Sequence, residues 1–411
     1  MKNVLIITYY WPPSGGPGVQ RILKFSKYLP KYGWNPIILT VKEGDFPVKD
    51  ISLKSNISDS DVYYSKSFSF HKIFNYLLGK KSTPAYQLSS SKTDNIITKI
   101  FRWIRFNLIV PDGRIGWYPD AVKIGSKIIR SNDIRVLFSS APPYTTHLIA
   151  KTLSKKYNIP WAADFRDPWT DYYYYENKRL WITSIIDKHL EKKVINSANA
   201  LITVSKTISE NYKKGFIVIY NGYDEEDFNL VEKKENSRII ISHVGTMSKN
   251  QNPSYFFDAV HQLNNVGKKY QIDLIGSVHP DIINDIKING YDYFINLVEY
   301  LPHHKAIIKM CQSDFLLLII TNVKKNMGLI SAKIFEYIRS GSKIIMIGPP
   351  GGDAEKIINE TNSGFSFNYY EKDTFKEILT KNNFKDTENY SKYSRENSTR
   401  LLADILNKIN K

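Results

Sequence analysis

The feature that most constrains the fold is an alternation of short apolar runs with helix-like segments. In the first half, apolar runs at residues 3–8 (NVLIIT), 136–140 (VLFSS) and 200–205 (ALITVS) are separated by longer segments with helical spacing of apolar residues. Strands that alternate with helices are typical of a parallel sheet that has helices on both faces. The first half therefore predicts a doubly wound α/β domain.

The same pattern starts again after a charged, turn-rich stretch at residues 224–238, which we interpret as a linker. Further buried-strand candidates follow it, at residues 239–245, 271–276, 314–320 and 343–348. The sequence thus predicts α/β architecture with two doubly wound domains. Ligands in such sheets bind beyond the carboxyl ends of the strands, so the expected site is a cleft between the domains.

We place the domains at residues 1–222, with a basic insert at about 66–110, and at residues 223–385, followed by a C-terminal helix at 386–411 that could pack back on the first domain. A length of 411 residues suits two or three domains, and 42% apolar with 24% charged residues excludes wholesale disorder. Cys311 is the single cysteine, which excludes an intramolecular disulfide and fits a reducing cytoplasm. No apolar run approaches the ~20 residues that span a bilayer.

The net charge of +17 is unevenly distributed along the chain. Residues 1–220 hold 33 basic against 16 acidic side chains, whereas the remaining residues hold 24 of each. Such an asymmetry suggests an anionic partner for the first half, which could be a nucleic acid, an acidic ligand or a membrane surface. The alternative is a genome-wide bias toward lysine, although that bias alone would spread the charge evenly.

The basic insert contains the segment DNIITKIFRWIRFNLIV. On a helix its apolar residues form one face, with Trp103 and Phe106 nearby and basic residues elsewhere, an arrangement that can lie in a membrane interface. The alternative is a helix whose apolar face packs on the sheet, which is the commoner case. The apolar face comprises Ile97, Ile100, Phe101, Ile104 and Leu108, and the basic residues are Lys99, Arg102 and Arg105.

A glycine-rich loop that contains Gly15 and Gly16 lies between the first strand and the first helix. Glycines allow close backbone approach to a ligand, and a helix N-terminus offers free N–H groups to an anion. The dinucleotide fingerprint is not matched, because Arg21 stands where its third glycine belongs. The loop therefore predicts an anion or sugar site, with a ligand-free tight turn as the alternative.

Two other clusters carry polar chemistry. Asp164, Arg166 and Asp167 follow a short strand, and His147 begins the preceding helix. Carboxylates beside an arginine can bind sugar hydroxyls or orient a reacting group, although plain ion pairs and a structural histidine are equally compatible with the pattern.

The second of these clusters lies in the other half of the chain, where Gly245 and Thr246 follow a strand. Lys333 and Glu336 share one helix face, so they could hold a diphosphate and a ribose, or form an ordinary surface pair.

At these residues the chain resembles a family 4 glycosyltransferase, a group of bacterial enzymes that build surface polysaccharides and lipid-linked glycans. The resemblance rests on an ordered series of motifs from Lys2 to about Gly364. It implies the GT-B fold, in which two Rossmann-like domains face each other across a cleft. The motifs are YYWPPSGGPGVQR, PWAADFRDPW, VIYNGYD, HVGTM and KIFEYIRSG.

The resemblance also implies site residues. Ser205 and Asn221 match positions that line the cleft in the family, so contacts to an acceptor are expected there. Catalytic roles for Asp167, Arg166 and His147, and a contact of Asp164 with the acceptor, are expected from the polar cluster after the short strand. Many members of the family have a histidine at the end of that strand, where this chain has Arg166 followed by Asp167. Donor-binding residues are expected to be Gly15, Gly16, Gly245, Thr246, Lys249, Leu301, Lys333 and Glu336. The chain departs from the family at Gly328, where the first of two motif glutamates is expected. Contacts to the donor sugar should therefore differ from those in other members.

The predicted function is that of a hexosyltransferase that moves a sugar from a nucleotide-sugar to a membrane-associated glycan or lipid-linked acceptor in capsule, lipopolysaccharide or O-antigen-like synthesis. The resemblance implies retention of configuration, no metal and no cofactor besides the donor. We expect a cytoplasmic protein that is peripheral on the inner face of the plasma membrane. Nucleic acid is not an expected partner, because no motif that reads it is present. Alternatives are a nucleotide-sugar 2-epimerase of the same fold and a non-catalytic, glycosyltransferase-like binding protein.

Overall fold

The computed structural model describes residues 1–46, 49–51, 53, 61–68, 96–171, 178–212, 214–228, 237–267, 269–371, 374–380 and 384–411. The chain forms two compact units. Unit 1 comprises Met1–Tyr220 and Ser398–Lys411, and unit 2 comprises Asn221–Asn397. The part of the predicted insert between residues 69 and 95 lies outside the described residues.

Unit 1 is built on a parallel sheet of seven strands in the order β3-β2-β1-β4-β5-β6-β7. The strands are β1 (Lys2–Ile7), β2 (Trp34–Val41), β3 (Asp61–Ser65), β4 (Ile134–Ala141), β5 (Trp161–Phe165), β6 (Ala200–Thr203) and β7 (Ile217–Val218). The helices of this unit are α1 (Pro17–Tyr28), α2 (Ile96–Asn107), α3 (Tyr118–Ser131), α4 (Thr145–Tyr157), α5 (Trp181–Ser197) and α6 (Lys206–Glu210).

Both faces of this sheet are buried, and β1 shows why its sequence is apolar without alternation. Leu5 and Ile7 belong to one hydrophobic cluster, whereas Val4 and Ile6 belong to the cluster on the other face. A parallel strand that is covered by helices on both sides must be apolar on both sides. The final helix contributes Leu402 to the second cluster.

Unit 2 repeats this plan with six parallel strands in the order β10-β9-β8-β11-β12-β13. The strands are β8 (Ile239–Val244), β9 (Tyr270–Ile275), β10 (Ile295–Val298), β11 (Phe315–Ile319), β12 (Lys343–Ile347) and β13 (Gly364–Phe367). The helices are α7 (Ser254–Asn265), α8 (Pro280–Ile288), α9 (His303–Cys311), α10 (Lys333–Ser340), α11 (Asp353–Thr361) and α12 (Thr374–Thr380), and α13 (Arg395–Ile409) runs on into unit 1.

In each unit the strand order reverses beside the first strand, which is the topological switch point of a doubly wound sheet. In unit 1 this point lies between β1 and β4, and in unit 2 it lies between β8 and β11. Polar loops therefore gather beyond the carboxyl ends of β1 and β8. Among the described residues, none of the helices is long and apolar enough to cross a membrane.

Candidate functional sites

In unit 2, two glycines bring backbone together at the ends of β8 and β9. Gly245 and Gly276 both have a φ of +112°, a conformation that side chains rarely adopt. A Cβ atom on Gly276 would lie 2.9 Å from the carbonyl oxygen of Gly245. A Cβ atom on Gly245 would lie 2.5 Å from Nζ of Lys333. The absence of these Cβ atoms lets the lysine side chain lie directly over the turn that follows β8.

Lys333 is the first residue of α10, and its position is set by how that helix is anchored. The Tyr337 hydroxyl accepts a hydrogen bond of 2.9 Å from the backbone N–H of Val244, which ties the helix to the end of β8. Gly341, with a φ of +79°, ends the helix in the left-handed conformation typical of a C-cap. The N-terminal turn of α10, with its partial positive charge, therefore lies at the carboxyl edge of the sheet.

His243 on β8 is the neutral neighbour of this lysine. Its Nδ1 lies 2.9 Å from the Leu317 carbonyl oxygen and donates to it, so that Nε2, 3.5 Å from Lys333 Nζ, is an acceptor. Burial, together with the charge of Lys333, lowers the pKa of His243 to about 3. Burial also lowers the pKa of Lys333 to about 8, against the opposing effect of Glu336. The site therefore holds a lysine charge that the histidine does not neutralise.

Glu336 lies one turn further along α10 and is half-buried. Burial raises the pKa of its carboxyl group; His303 and Arg395 oppose that rise, and Asp227 adds to it. His303, the first residue of α9, is 3.2 Å from the Asp227 carboxylate. The carboxylate of Glu336 is thus kept beside cationic groups and can accept hydrogen bonds from a pair of hydroxyls. We call Gly245, His243, Lys333, Glu336 and His303 the lysine–glutamate cluster.

Four other residues that the sequence predicted as site residues also lie in unit 2, but outside the lysine–glutamate cluster. Leu301 is half-buried and precedes the helix that carries His303, and Thr246 is exposed directly after Gly245. Lys249 instead forms an exposed ion pair with Asp281 at 2.7 Å, which raises its pKa. Asn221 belongs to unit 2, where its side-chain oxygen accepts a hydrogen bond of 3.4 Å from Arg395.

In unit 1, the glycine loop leads into α1. Gly16, with a φ of +101°, is the N-cap of α1, and its carbonyl oxygen accepts from the backbone N–H groups of Val19 and Gln20. Gly16 is exposed and Gly15 half-buried. A Cβ atom on Gly18 would lie 1.5 Å from Nη1 of Arg166. The glycines therefore make room for an arginine at the start of the helix.

Arg166 bridges the end of β4 and the start of α1. Its guanidinium donates to the carbonyl oxygens of Ala141 and Pro142. Burial lowers the pKa of Arg166, and Asp164 and Asp167 oppose this effect. Asp167 is half-exposed, and burial raises the pKa of its carboxyl group against the charge of Arg166. A guanidinium, a helix N-terminus and a carboxylate thus lie together at the carboxyl edge of this sheet.

Asp164 is fully buried and forms the ion pair that the sequence left open as an alternative. Its two oxygens accept from Arg21 Nε at 3.0 Å and Arg21 Nη2 at 2.9 Å, and one also accepts from the Ser140 hydroxyl at 2.7 Å. Arg21, which stands where the dinucleotide fingerprint has its third glycine, joins α1 to β5 through this ion pair. The geometry leaves the Asp164 carboxylate out of reach of an acceptor molecule.

His147 and Ser205 are also fully buried. His147 Nδ1 lies 2.8 Å from the Ser139 hydroxyl, and burial lowers its pKa to about 3, so the ring stays neutral and inside the core. Ser205 caps α6 by accepting a hydrogen bond from the backbone N–H of Ile208. These positions stabilise unit 1, and their geometry favours the structural interpretation over direct contact with a substrate.

The site of unit 2 also contains three residues that were not predicted from the sequence: His243, His303 and Arg395. The two histidines stand inside motifs that were already singled out, HVGTM and LPHHK. Arg395 is 59 positions beyond Glu336, and no local pattern connects the two. Among the described residues, no group of histidine, cysteine, aspartate and glutamate could hold a metal ion.

Several solved structures share this architecture over the whole chain. A glycosyltransferase from Rickettsia africae superposes with a TM-score of 0.61 at 14% identity, covering 100% of this chain and 99% of its own. Sucrose-phosphate synthase from Thermosynechococcus elongatus gives 0.60 at 11% identity, covering 100% and 96%. MnaA of S. aureus, solved with UDP, gives 0.53 at 12% identity, covering 100% and 97%. The comparison with curated proteins found no match.

Two parallel, doubly wound units with polar clusters at their switch points define an α/β protein of the GT-B fold. The family model of Glycosyltransferase Family 4 matches residues 82–227. Over this segment the chain is similar to glycosyltransferase family 4.

Proposed function

We propose that the protein transfers a hexosyl residue from a nucleoside-diphosphate sugar to a membrane-associated glycan or lipid-linked acceptor, in the synthesis of a surface polysaccharide such as a capsule or O-antigen. The observation that carries the donor half of this proposal is the position of the Lys333 ammonium over Gly245, beside the N-terminus of α10. We assign the acceptor half to unit 1, whose polar groups lie at the glycine loop.

The lysine–glutamate cluster suits a nucleoside diphosphate. Gly245 and Gly276 permit a phosphate to approach the backbone, and Lys333 with the first turn of α10 supplies positive charge. Glu336 is placed to accept hydrogen bonds from the two ribose hydroxyls. S. aureus MnaA, a protein of the same fold, has been solved with UDP, which agrees with this class of ligand.

During transfer, the bond between the anomeric carbon and the diphosphate oxygen breaks, and its electron pair leaves with the diphosphate. The acceptor hydroxyl forms the new bond to the anomeric carbon, and its proton passes to the departing diphosphate. We assign to Lys333 the stabilisation of the charge that develops on the departing diphosphate. In unit 1, Asp167 and Arg166 are the accessible predicted groups for contact with the acceptor. Retention of configuration and independence of metal are part of the proposal.

The donor site is tested by thermal shift and calorimetry with UDP, GDP, dTDP and CMP. We expect one nucleoside diphosphate to bind, and Lys333→Ala to weaken its affinity by about 1.5–3 kcal/mol, the cost of losing a hydrogen bond from a charged group. Lys287→Ala, at an exposed lysine on α8, is the matched control and should bind normally. An affinity that is equal in both variants would remove Lys333 from the site.

Product analysis separates glycosyl transfer from the second candidate, a nucleotide-sugar 2-epimerase. A protein from Listeria monocytogenes described as a putative UDP-N-acetylglucosamine 2-epimerase shares the fold, with a TM-score of 0.53 at 11% identity. An epimerase changes the sugar while no acceptor is present. A transferase releases its nucleoside diphosphate in step with a glycosylated acceptor. Formation of the epimer alone would replace the proposed function.

A further inference from the structure

Helix α2 presents large apolar side chains at its surface. Ile96, Ile97, Ile100 and Trp103 are all exposed, and Trp103 has 48% of its surface accessible. Residues 96, 100 and 103 are spaced by four and three positions, so they lie along one side of the helix. No acidic residue occurs between residues 96 and 107. Of the apolar face predicted from the sequence, Ile97, Ile100 and Leu108 are exposed, whereas Phe101 and Ile104 are half-buried, so the helix buries only part of that face.

Helix α5 shows the same combination in a second place. Its first half exposes Trp181, with 71% of its surface accessible, together with three isoleucines: Ile182, Ile185 and Ile186. At helical spacing these continue directly into the basic residues of the second half. One exposed side of a single helix thus changes from apolar to cationic. The exposed basic residues are Lys188, Lys192 and Lys193, with His189 between them.

The two helices are held together by Asn107, at the end of α2. Its side-chain oxygen accepts a hydrogen bond of 2.6 Å from the backbone N–H of Leu180, immediately before α5. Its carbonyl oxygen accepts a hydrogen bond of 2.9 Å from the hydroxyl of Thr183. Lys178 lies with Nζ 5.6 Å from the centre of the Phe106 ring. The exposed apolar residues of both helices therefore belong to neighbouring parts of unit 1.

The acidic residues of α5 are turned inward. Asp187 accepts a hydrogen bond from the Trp169 indole N–H at 2.9 Å and pairs with Arg179. Glu191 accepts from the hydroxyls of Thr170 and Tyr212. The outward side of the two helices is therefore apolar and positively charged. We call the residues Ile96, Ile97, Ile100, Trp103, Trp181, Ile182, Ile185, Ile186, Lys188, Lys192 and Lys193 the two-helix surface.

We propose that the two-helix surface inserts into an anionic lipid bilayer, with its tryptophans and isoleucines at the headgroup boundary and its lysines against the lipid charges. This proposal deepens, and rests on, the membrane-associated acceptor proposed above. Large exposed apolar groups bordered by lysines match the interfacial region of a membrane, because that region accepts apolar rings and attracts positive charge. A bilayer is favoured over an acidic protein because the apolar residues protrude from helices.

Tryptophan fluorescence tests insertion directly. The other five tryptophans, Trp11, Trp34, Trp117, Trp161 and Trp169, have at most 1% of their surface exposed, so only Trp103 and Trp181 can respond to lipid. With phosphatidylglycerol vesicles we expect a blue shift of the emission and quenching by brominated acyl chains. Tryptophan emission that does not change when vesicles are added would overturn the proposal. Failure of acrylamide to quench the emission in water would also overturn it, because it would mean that other residues already cover the two helices.

Variants locate the surface. The double substitution Trp181→Ser/Ile185→Ser should weaken binding to phosphatidylglycerol vesicles by about tenfold or more, because two large apolar side chains no longer enter the interface. The matched control is Val266→Ser/Ile288→Ser, which removes two side chains of unit 2 that are 76% and 73% exposed. Equal affinity in the two double variants would overturn the proposal.

The basic part of the surface is tested by Lys188→Glu/Lys192→Glu. We expect about a tenfold loss of vesicle affinity at low salt that shrinks as the salt concentration rises. Binding of UDP and the other diphosphates is measured on the same variants without vesicles and should be unchanged. Vesicle binding without nucleotide binding would keep the two-helix surface and refute the proposed donor site. Nucleotide binding with no vesicle binding would keep the proposed donor site and refute the two-helix surface.

Discussion

The two units share one fold plan but differ in net charge and in how their buried charges are paired. When the last fourteen residues, with three basic and one acidic side chain, are added to the first 220, unit 1 holds 36 basic against 17 acidic residues. Unit 2 holds 21 basic and 23 acidic residues. The pairing of the buried charges also differs. Asp164 in unit 1 forms an ion pair with Arg21, whereas Lys333 in unit 2 lies beside a neutral histidine.

This contrast separates a charge that serves the fold from a charge that is kept for a ligand. A buried cation with a bidentate carboxylate has its charge already neutralised, and it joins two elements of the core. A lysine whose pKa is lowered by burial, and which lies beside a neutral histidine, still has charge to offer to a phosphate. The following predictions test that distinction, beginning with the largest expected effect.

Removal of the buried carboxylate should destabilise unit 1 strongly. Asp164→Ala leaves the Arg21 guanidinium buried without its partner, which we expect to cost about 3–5 kcal/mol of the free energy of unfolding. Urea unfolding, followed by the fluorescence of the buried tryptophans of unit 1, measures the change. Asp133→Ala, which breaks an exposed pair with Arg135, should cost less than about 1 kcal/mol. Similar values for the two variants would contradict a structural role for Asp164.

The substitution with the next largest expected effect on the free energy of unfolding is at Gly18. In Gly18→Ala the new methyl group would overlap the Arg166 guanidinium, which then has to move, at an expected cost of about 1–3 kcal/mol. Thermal unfolding provides the measurement. Gly113→Ala is the matched control, because a Cβ atom at that position meets nothing within 4 Å. If both variants melt together, the packing of Arg166 on the loop is unimportant.

Diphosphate affinity should depend on pH through Lys333. With a pKa of about 8, the ammonium is mostly charged at pH 7 and mostly neutral at pH 9. Because phosphate binding favours the charged form, affinity should fall as the pH rises through 8, by up to about tenfold between pH 7 and 9. Calorimetry at three pH values measures this fall, and Lys333→Ala should give a flatter profile. A wild-type profile as flat as that of the variant would argue against Lys333 as the phosphate-binding cation.

The smallest effect is expected at Glu336. The substitution Glu336→Gln removes a carboxylate acceptor for ribose hydroxyls, so nucleoside diphosphate affinity should fall by about 1 kcal/mol. Inorganic pyrophosphate, which has no ribose, should bind the variant and the wild type equally. Isothermal titration with both ligands provides this comparison. An equal loss for the two ligands would place Glu336 at the phosphates instead of the ribose.

Much of the fold was predictable, since buried parallel strands are apolar on both faces and stand out from the polar segments between them. The strands β1, β4, β8 and β12 all appear in this way. The edge strands β3, β10 and β13 were not predicted, because they are partly exposed and have no long apolar run. Their sequences are DVYYS, INLV and GFSF. Their position was decided by pairing with a neighbouring strand, which no local pattern records.

The sequence by itself determined the two doubly wound domains, the excess positive charge of the first, and the pairing of Lys333 with Glu336 on one helix face. These properties depend on residue order and helical periodicity, which are local. Only the tertiary structure decided that Asp164 and His147 are buried, that Lys333 lies over Gly245 beside a neutral His243, and that the acids of α5 face inward. Burial and desolvation depend on residues distant in the chain, so the charge that each group can offer was settled only by folding.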